Sequence, residues 1–303
     1  MFSLGMRVLP LNGGCAGVGV RGVNPRRNPE LGSFLRARRA RLSPDGTGSR
    51  ALGRRRVPGL RREEIAALAG VSPDYYTRLE QGRQPTASES VLDALARALQ
   101  LSAEERLHLY TLAGEVGPGA APTEPVGGIN PRVSQVLDTL GDTPAIACGP
   151  FLDIHVANKA ASFLFEDFAA LPLRERNAVR WMLLSPLAPK LYQAQWEESA
   201  SDLIGMLRID VGRWPAEQRG TEIVRELTQA SQLFRRLWDR HQVSTWHAEE
   251  KVLHHPDAGP LRLHNASISV NGVPDQVIYL MIPDDREAFT TALRRSLRSG
   301  EKA

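Results

Sequence analysis

The sequence predicts a multidomain α+β protein, an all-α N-terminal unit followed by an α+β C-terminal unit. Three observations carry this. At 303 residues the chain is long enough for two domains of ordinary size. A Gly- and Pro-rich run from Gly114 to Asn130 (GEVGPGAAPTEPVGGIN) divides it. Before that run the apolar residues recur at helical spacing; after it, helical stretches are bracketed by runs with strand character. The expected organisation is a flexible extension over 1–28, a helical domain over 29–114, a linker over 115–130 and an α+β domain over 131–300.

Hydrophobic content of 42% and charged content of 24% suit a chain with buried cores. No apolar run approaches the ~18 residues that a spanning helix needs, so no membrane insertion is expected. Cys15 and Cys148 stand far apart without CxxC or Cys/His spacing. That pattern speaks against a disulfide framework or zinc site and suits a reducing cytoplasm. Charge is distributed unevenly. Residues 1–118 hold 18 arginines, no lysine and 11 acidic residues, a net +7; the whole chain carries +4, which leaves −3 for the remainder. Ten arginines fall between Arg36 and Arg62. A polyanion is the partner expected for the first part and not for the second.

Along the chain, Met1 to Asn28 lacks an amphipathic period, and Pro10, Asn12 and Gly13 break any secretory-signal pattern. Gly17-Val18-Gly19-Val20-Arg21-Gly22 matches GxGxxG, but Pro25 and Pro29 forbid the helix that must follow, and the expected ribose position around Arg41 is not acidic. A dinucleotide site is therefore discarded, and no cofactor is expected. Glu30 to Leu42 reads as a helix with Leu31, Phe34, Leu35 and Leu42 on one face and arginines around the rest, stopped by Ser43-Pro44-Asp45-Gly46.

Leu60 to Gly82 (LRREEIAALAGVSPDYYTRLEQG) is the most informative stretch. A short helix opens at Glu63 and Glu64, with Ile65, Ala66, Leu68 and Ala69 as its apolar face; Ala66 must be small where a second helix crosses it. Gly70 can take positive φ and end that helix, and Val71 fills the angle between the two. Ser72 is an N-cap and Pro73 an N1 residue whose missing N–H costs nothing. Tyr76 and Leu79 then face inward, leaving Asp74, Tyr75, Thr77 and Arg78 outward until Gly82 ends the helix. Each feature alone suits any helical hairpin. Jointly they predict a helix-turn-helix whose second helix, 73–81, can enter a major groove.

The segment resembles the Cro/C1-type (XRE) helix-turn-helix family through Ile65-Ala66, Gly70-Val71-Ser72, Tyr76, Leu79-Glu80 and Gly82. The resemblance implies a five-helix, lambda-repressor-like domain, completed here by helices over Glu89–Leu99 and Ala103–Leu112. It implies a double-stranded DNA operator as partner, with Arg62 at a phosphate and Pro73, Asp74 and Arg78 at base-reading positions. Proline has no side-chain donor, a departure from the family pattern. Asp74 can accept from cytosine N4, and Arg78 can pair with guanine O6 and N7. Ser72, Tyr75 and Thr77 complete the expected DNA-facing set. Arg54-Arg55-Arg56, just before the motif, is either a solvated charge run or an arm for a phosphate or narrow minor groove.

Beyond the linker, a short helix is expected over Pro131–Leu140, then strands over Pro144–Cys148 and Phe151–Val156, and a helix from Asn158 to Phe165. A mostly helical middle runs from Leu173 to His241. Strands follow over Val243–Ala248, Lys251–His254, Leu261–Val270 and Gln276–Ile282, and an amphipathic helix over Asp285–Leu297 closes the chain. The arrangement resembles the MmyB-like regulators, whose C-terminal half is a PAS-like ligand-binding domain. Its anchors are Pro58 to Glu64, Tyr75 to Gly82, Phe234-Arg235-Arg236-Leu237-Trp238, His241 and Pro274-Asp275-Gln276. Where relatives carry Trp-Asn, this chain has Ala157-Asn158.

Phe151, Phe163, Trp181, Trp238 and Tyr279 are candidates for an apolar pocket that takes a small apolar or acyl ligand, although such residues are more often core. His241, with Arg235 or Arg240, can hold an anionic head or simply end a helix. His254 and His255 are adjacent and so point to opposite faces of a strand; with His247 and His264 they do not suggest a metal. No GxSxG, HExxH or P-loop occurs in a usable context, so no catalytic residue and no enzyme is expected. Homodimerisation is expected of such a head. The alternatives are a second domain that only dimerises, or one with an unrecognised activity.

Overall fold

Polar capping residues fix where most helices begin, as the sequence suggests. The computed structural model describes residues 27–42, 59–114, 128–215, 217–245, 250–270 and 273–300. In the N-terminal domain, α1 (Pro29–Arg41) starts at Asn28, whose Oδ1 accepts from Leu31 N at 3.0 Å. The Asn28 amide also donates to the Leu112 carbonyl at 2.6 Å, so this residue belongs to the domain and not to an extension. Helices α2 (Arg62–Leu68), α3 (Pro73–Glu80), α4 (Glu89–Ala98) and α5 (Ala103–Leu112) complete five helices. Ser72 Oγ accepts from Tyr75 N, and Ser102 with Glu105 closes a reciprocal capping box on α5.

Leu31, Phe34, Leu35, Ile65, Ala66, Tyr76, Leu79, Leu92 and Leu95 form the core of this domain. Gly70 has φ +67°, which makes the turn between α2 and α3. Gly32 permits a close approach, since a Cβ there would lie 2.6 Å from the Glu80 carbonyl oxygen. Two expectations need correction. Leu68 is 47% exposed, because the short α2 turns only Ile65, Ala66 and Ala69 inward. The arginines of α1 do not all face water: Arg38 and Arg39 are buried because each finds a carboxylate.

The C-terminal domain is built on a five-stranded antiparallel sheet of order β2-β1-β5-β4-β3. The strands are β1 (Ala145–Cys148), β2 (Ile154–Ala157), β3 (Glu250–His255), β4 (Gly259–Val270) and β5 (Val273–Pro283). The period of two divides the sheet cleanly. Ala145, Ala147, Ile278 and Leu280 face α6 (Pro131–Thr139), while Ile146, Cys148, Leu263 and Met281 face the larger core. That core is covered by α7 (Lys159–Leu164), α8 (Ala178–Leu184), α9 (Ala188–Tyr192), α10 (Trp196–Arg213), α11 (Gln218–Ala230) and α12 (Gln232–Trp238). Helix α13 (Arg286–Gly300) adds Phe289 and Leu293.

The second strand begins at Ile154, three residues later than expected, because Pro150–Leu152 forms a 3-10 turn with Phe151 and Leu152 at φ +60° and +62°. Val243–Thr245 pairs with no strand, and the rest of that expected strand lies outside the described residues. So do Arg54-Arg55-Arg56, most of the N-terminal extension and most of the linker. The end of the expected linker is tied down: Gln276 accepts from Asn130 N at 2.9 Å and donates to the Gly128 carbonyl at 2.6 Å.

Candidate DNA-reading surface and ligand cavity

Helix α3 turns Tyr76, Leu79 and Glu80 into the core and leaves Ser72, Pro73, Asp74 and Arg78 exposed, with Tyr75 and Thr77 half-buried. Arg78 and Asp74 form an i,i+4 pair at 2.9 Å. Arg62 stands at the start of α2, where its guanidinium donates to Glu80 Oε1 at 2.8 Å. Glu80 is a hub, although its place in the motif does not by itself announce one. Its fully buried carboxylate also receives Nε and Nη2 of Arg39 at 2.8 and 3.0 Å, and Arg36 stands 3.6 Å away. Burial alone would raise its pKa; hydrogen bonds from Arg39 and Arg62 outweigh that and hold it below the usual range. One carboxylate thus ties α1, α2 and α3 together. The signal was available: position 80 lies on the Tyr76 and Leu79 face, so an acid there beside clustered arginines implies a buried pair.

The second site lies between the sheet and α8 and α10, an apolar cavity of about 100 Å³. Its walls include Ile146, Trp181, Met182, Leu203, Leu253, Leu263, Tyr279 and Met281. Lys251 and Asp202 are its charged residues, 3.9 Å apart. A more polar cavity of about 310 Å³ adjoins it, sharing Cys148, Leu152, Met206, Thr245 and Tyr279. Asp210 lines this neighbour and accepts from Phe151 N at 2.7 Å, with burial pushing its carboxyl up to about 7.

Of the seven ligand candidates, Trp181 and Tyr279 line the apolar cavity. Phe151 packs edge-on against Trp214, close beside Gly220. Phe163 packs on His255 and Phe289. Arg235 is exposed and donates to the Thr228 carbonyl. Trp238 and His241 lie on the side facing the N-terminal domain. His255 is occupied in a turn, its Nε2 against the Phe163 carbonyl and its Nδ1 accepting from Asp257 and Ala258 N.

The two domains meet across α10. Arg208 stacks over Trp238 at 3.8 Å and donates to the Trp238 carbonyl and, at 3.2 Å, to His241 Nδ1. An arginine can only donate, so that nitrogen of His241 is an acceptor and the ring is neutral. Burial and the positive Arg208 bring its pKa down to about 4. From the other domain, Arg38 donates to the His241 carbonyl and pairs with Glu105 at 2.7 Å. His108 of α5 packs edge-on against Phe34 and lies over Gly212, where a Cβ would come within 2.8 Å of its ring. Burial, Arg208 and His241 lower its pKa to about 3.

Known proteins agree with this architecture. Residues 30–109 match the family model of a helix-turn-helix domain, and residues 129–296 match the MmyB-like transcription regulator ligand binding domain. A search of curated proteins finds no significant match. With a ligand-binding-domain model covering more than half of its length behind a helix-turn-helix head, the chain belongs to the MmyB-like transcription regulators, DNA-binding proteins that join these two domains.

Proposed function

We propose that the chain is a sequence-specific DNA-binding regulator that reads the major groove with α3 and is modulated by a small apolar or acyl ligand in its C-terminal domain. One observation carries the modulation: α10 is a wall of the cavity on one side and the seat of the head on the other. Ser199, Asp202, Leu203 and Met206 line the cavity, while Arg208 and Gly212 face the head and its attachment. At about 100° per residue these two sets fall on opposite faces of the helix. A ligand that displaces the cavity wall therefore acts on the element the head rests upon. The matched domains are those of a regulator rather than an enzyme. Homodimerisation is part of the proposal, because heads of this type bind two half-sites about one helical turn apart.

The test begins with DNA that co-purifies with the protein, sequenced to obtain the operator. Leu203→Trp then fills the cavity from its α10 wall. A several-fold change in operator affinity, with circular dichroism unchanged, is the expected result. An affinity equal to wild type would sink the coupling and favour a domain that only dimerises. Sedimentation of the same samples would show a dimer.

A further inference from the structure

Two buried polar groups on the wall of the apolar cavity have no hydrogen-bond partner among the described residues. Trp181 is 6% exposed and Ser199 is 6% exposed. Both residues line the cavity, and neither the indole Nε1–H of Trp181 nor the Oγ of Ser199 is bonded to a described residue. They come from different elements, α8 and α10, that pack against each other. Neighbouring polar side chains are satisfied: the Trp196 indole donates to the Met182 carbonyl at 2.8 Å. Leaving a buried donor unpaired is costly, so two around one apolar cavity need an explanation.

Charge on the same wall narrows the partner. Asp202 and Lys251 face one another, so among the described residues the lining has no net charge to offer an ionised ligand. Carrying a carboxylate into apolar surroundings without a counter-charge is far costlier than carrying a neutral oxygen there. An indole N–H only donates, and a serine hydroxyl donates as well as accepts. An oxygen with two lone pairs can accept from both kinds of donor.

We infer that the ligand is an uncharged, oxygenated apolar molecule, such as a ketone, ester or lactone, whose carbonyl oxygen accepts from Trp181 Nε1–H and Ser199 Oγ–H. The inference rests on the reading that the apolar cavity is the ligand site. It narrows that reading from apolar molecules in general to those carrying a neutral acceptor, and it sets free carboxylates aside.

Three probes with nine carbons separate these ideas: propylbenzene, propiophenone and 3-phenylpropanoate. Titrated calorimetrically into the full chain, propiophenone should bind about tenfold more tightly than propylbenzene, the effect of one to two neutral hydrogen bonds. The carboxylate should bind more weakly than the ketone. In nitrogen-15 spectra the indole proton of Trp181 should move downfield with propiophenone and stay with propylbenzene. Trp181→Phe and Ser199→Ala should each bring the ratio of ketone to propylbenzene affinity closer to one. Should Trp181→Phe fail to fold, Ser199→Ala and the indole resonance still decide. Equal affinity for ketone and hydrocarbon, or a stationary indole proton, overturns the hydrogen-bonding inference and leaves the cavity reading intact. Tightest binding of the carboxylate overturns the uncharged class. If none of the three binds, both readings fall.

Discussion

At the scale of single residues, Glu80 holds together the helices that present the DNA-reading surface. Its carboxylate compensates Arg39, which is itself buried and also donates to the Leu60 carbonyl at 2.7 Å. Glu80→Gln would leave that guanidinium buried without its counter-charge, at a cost of about 3–5 kcal/mol. A urea titration should show the midpoint falling accordingly, whereas Arg36→Ala, which removes an exposed partner 3.6 Å away, should cost under about 1 kcal/mol. The pH dependence follows from the sign of the shift. A carboxyl held below its usual range contributes stability above the unfolded pKa of about 4.3 and loses it as pH falls through the lower folded value. Wild type should therefore lose stability in that acid window and Glu80→Gln should lose less. The DNA predictions differ in kind. Arg78→Ala should cost about 1–3 kcal/mol of operator binding and relax discrimination at one base pair. Arg62→Ala should weaken binding to all sequences and lower the salt slope by about one. It should also lower thermal stability, because Arg62 bonds Glu80. Loss confined to one base pair in Arg62→Ala would refute the phosphate role.

At the scale of elements, the close crossing of α1 over α3 depends on Gly32. A methyl group there meets backbone, 2.6 Å from the Glu80 carbonyl oxygen and 2.9 Å from Gly82 N, so neither neighbour can swing aside. Gly32→Ala should destabilise the head by about 1–3 kcal/mol despite better helix propensity, measured as the thermal midpoint of the full chain. A stabilised variant would show that the crossing is looser than drawn. Periodicity disclosed the elements themselves well: α1, α3, α4, α5 and most strands stand within a few residues of their expected ends. It failed where a tertiary partner overrides the local rule. Arg38 and Arg39 look like solvent-facing arginines until Glu105 and Glu80 arrive from 40 or more residues away. Phe151 looks like a strand residue, yet Asp210 of α10 holds its N–H in a left-handed turn. Trp181 and Tyr279 were recognisable as large aromatic side chains, but Leu203, Leu263 and Met281 join them only because α10 lies across one face of the sheet. His241 suits either an anionic ligand head or a helix end, and it stands just past the end of α12. That position brings it to the head, where its carbonyl accepts from Arg38.

At the scale of the whole molecule, the head and the C-terminal domain are joined by a contact dense in cationic and titratable groups. Arg38 and Arg208 are both buried there, around His108 and His241, with Glu105 opposite Arg38 and the charges of Glu30 and Asp239 acting on Arg208. Both histidines are neutral while the domains are docked, because burial and Arg208 depress their pKa values to about 3 and about 4. Freed to water, each would return towards its ordinary value of about 6.5. Undocking is therefore linked to proton uptake, and docking strength is full above about pH 6.5 and declines as pH falls towards the docked values. Between pH 7.5 and 5 the full chain should pass from one cooperative thermal transition to two, with the linker becoming easier to cut by a protease. His108→Phe keeps the edge-on contact with Phe34 but cannot take up a proton, so it should flatten that dependence. Gly212→Leu should separate the domains already at pH 7.5, since even its Cβ would lie 2.8 Å from the His108 ring. The Gly212→Leu protein should still bind operator DNA, as α3 lies in the head away from this contact, but its affinity should no longer respond to filling the cavity with Leu203→Trp. A Gly212→Leu protein that keeps both the single transition and the response would show that α10 does not carry the signal between the domains.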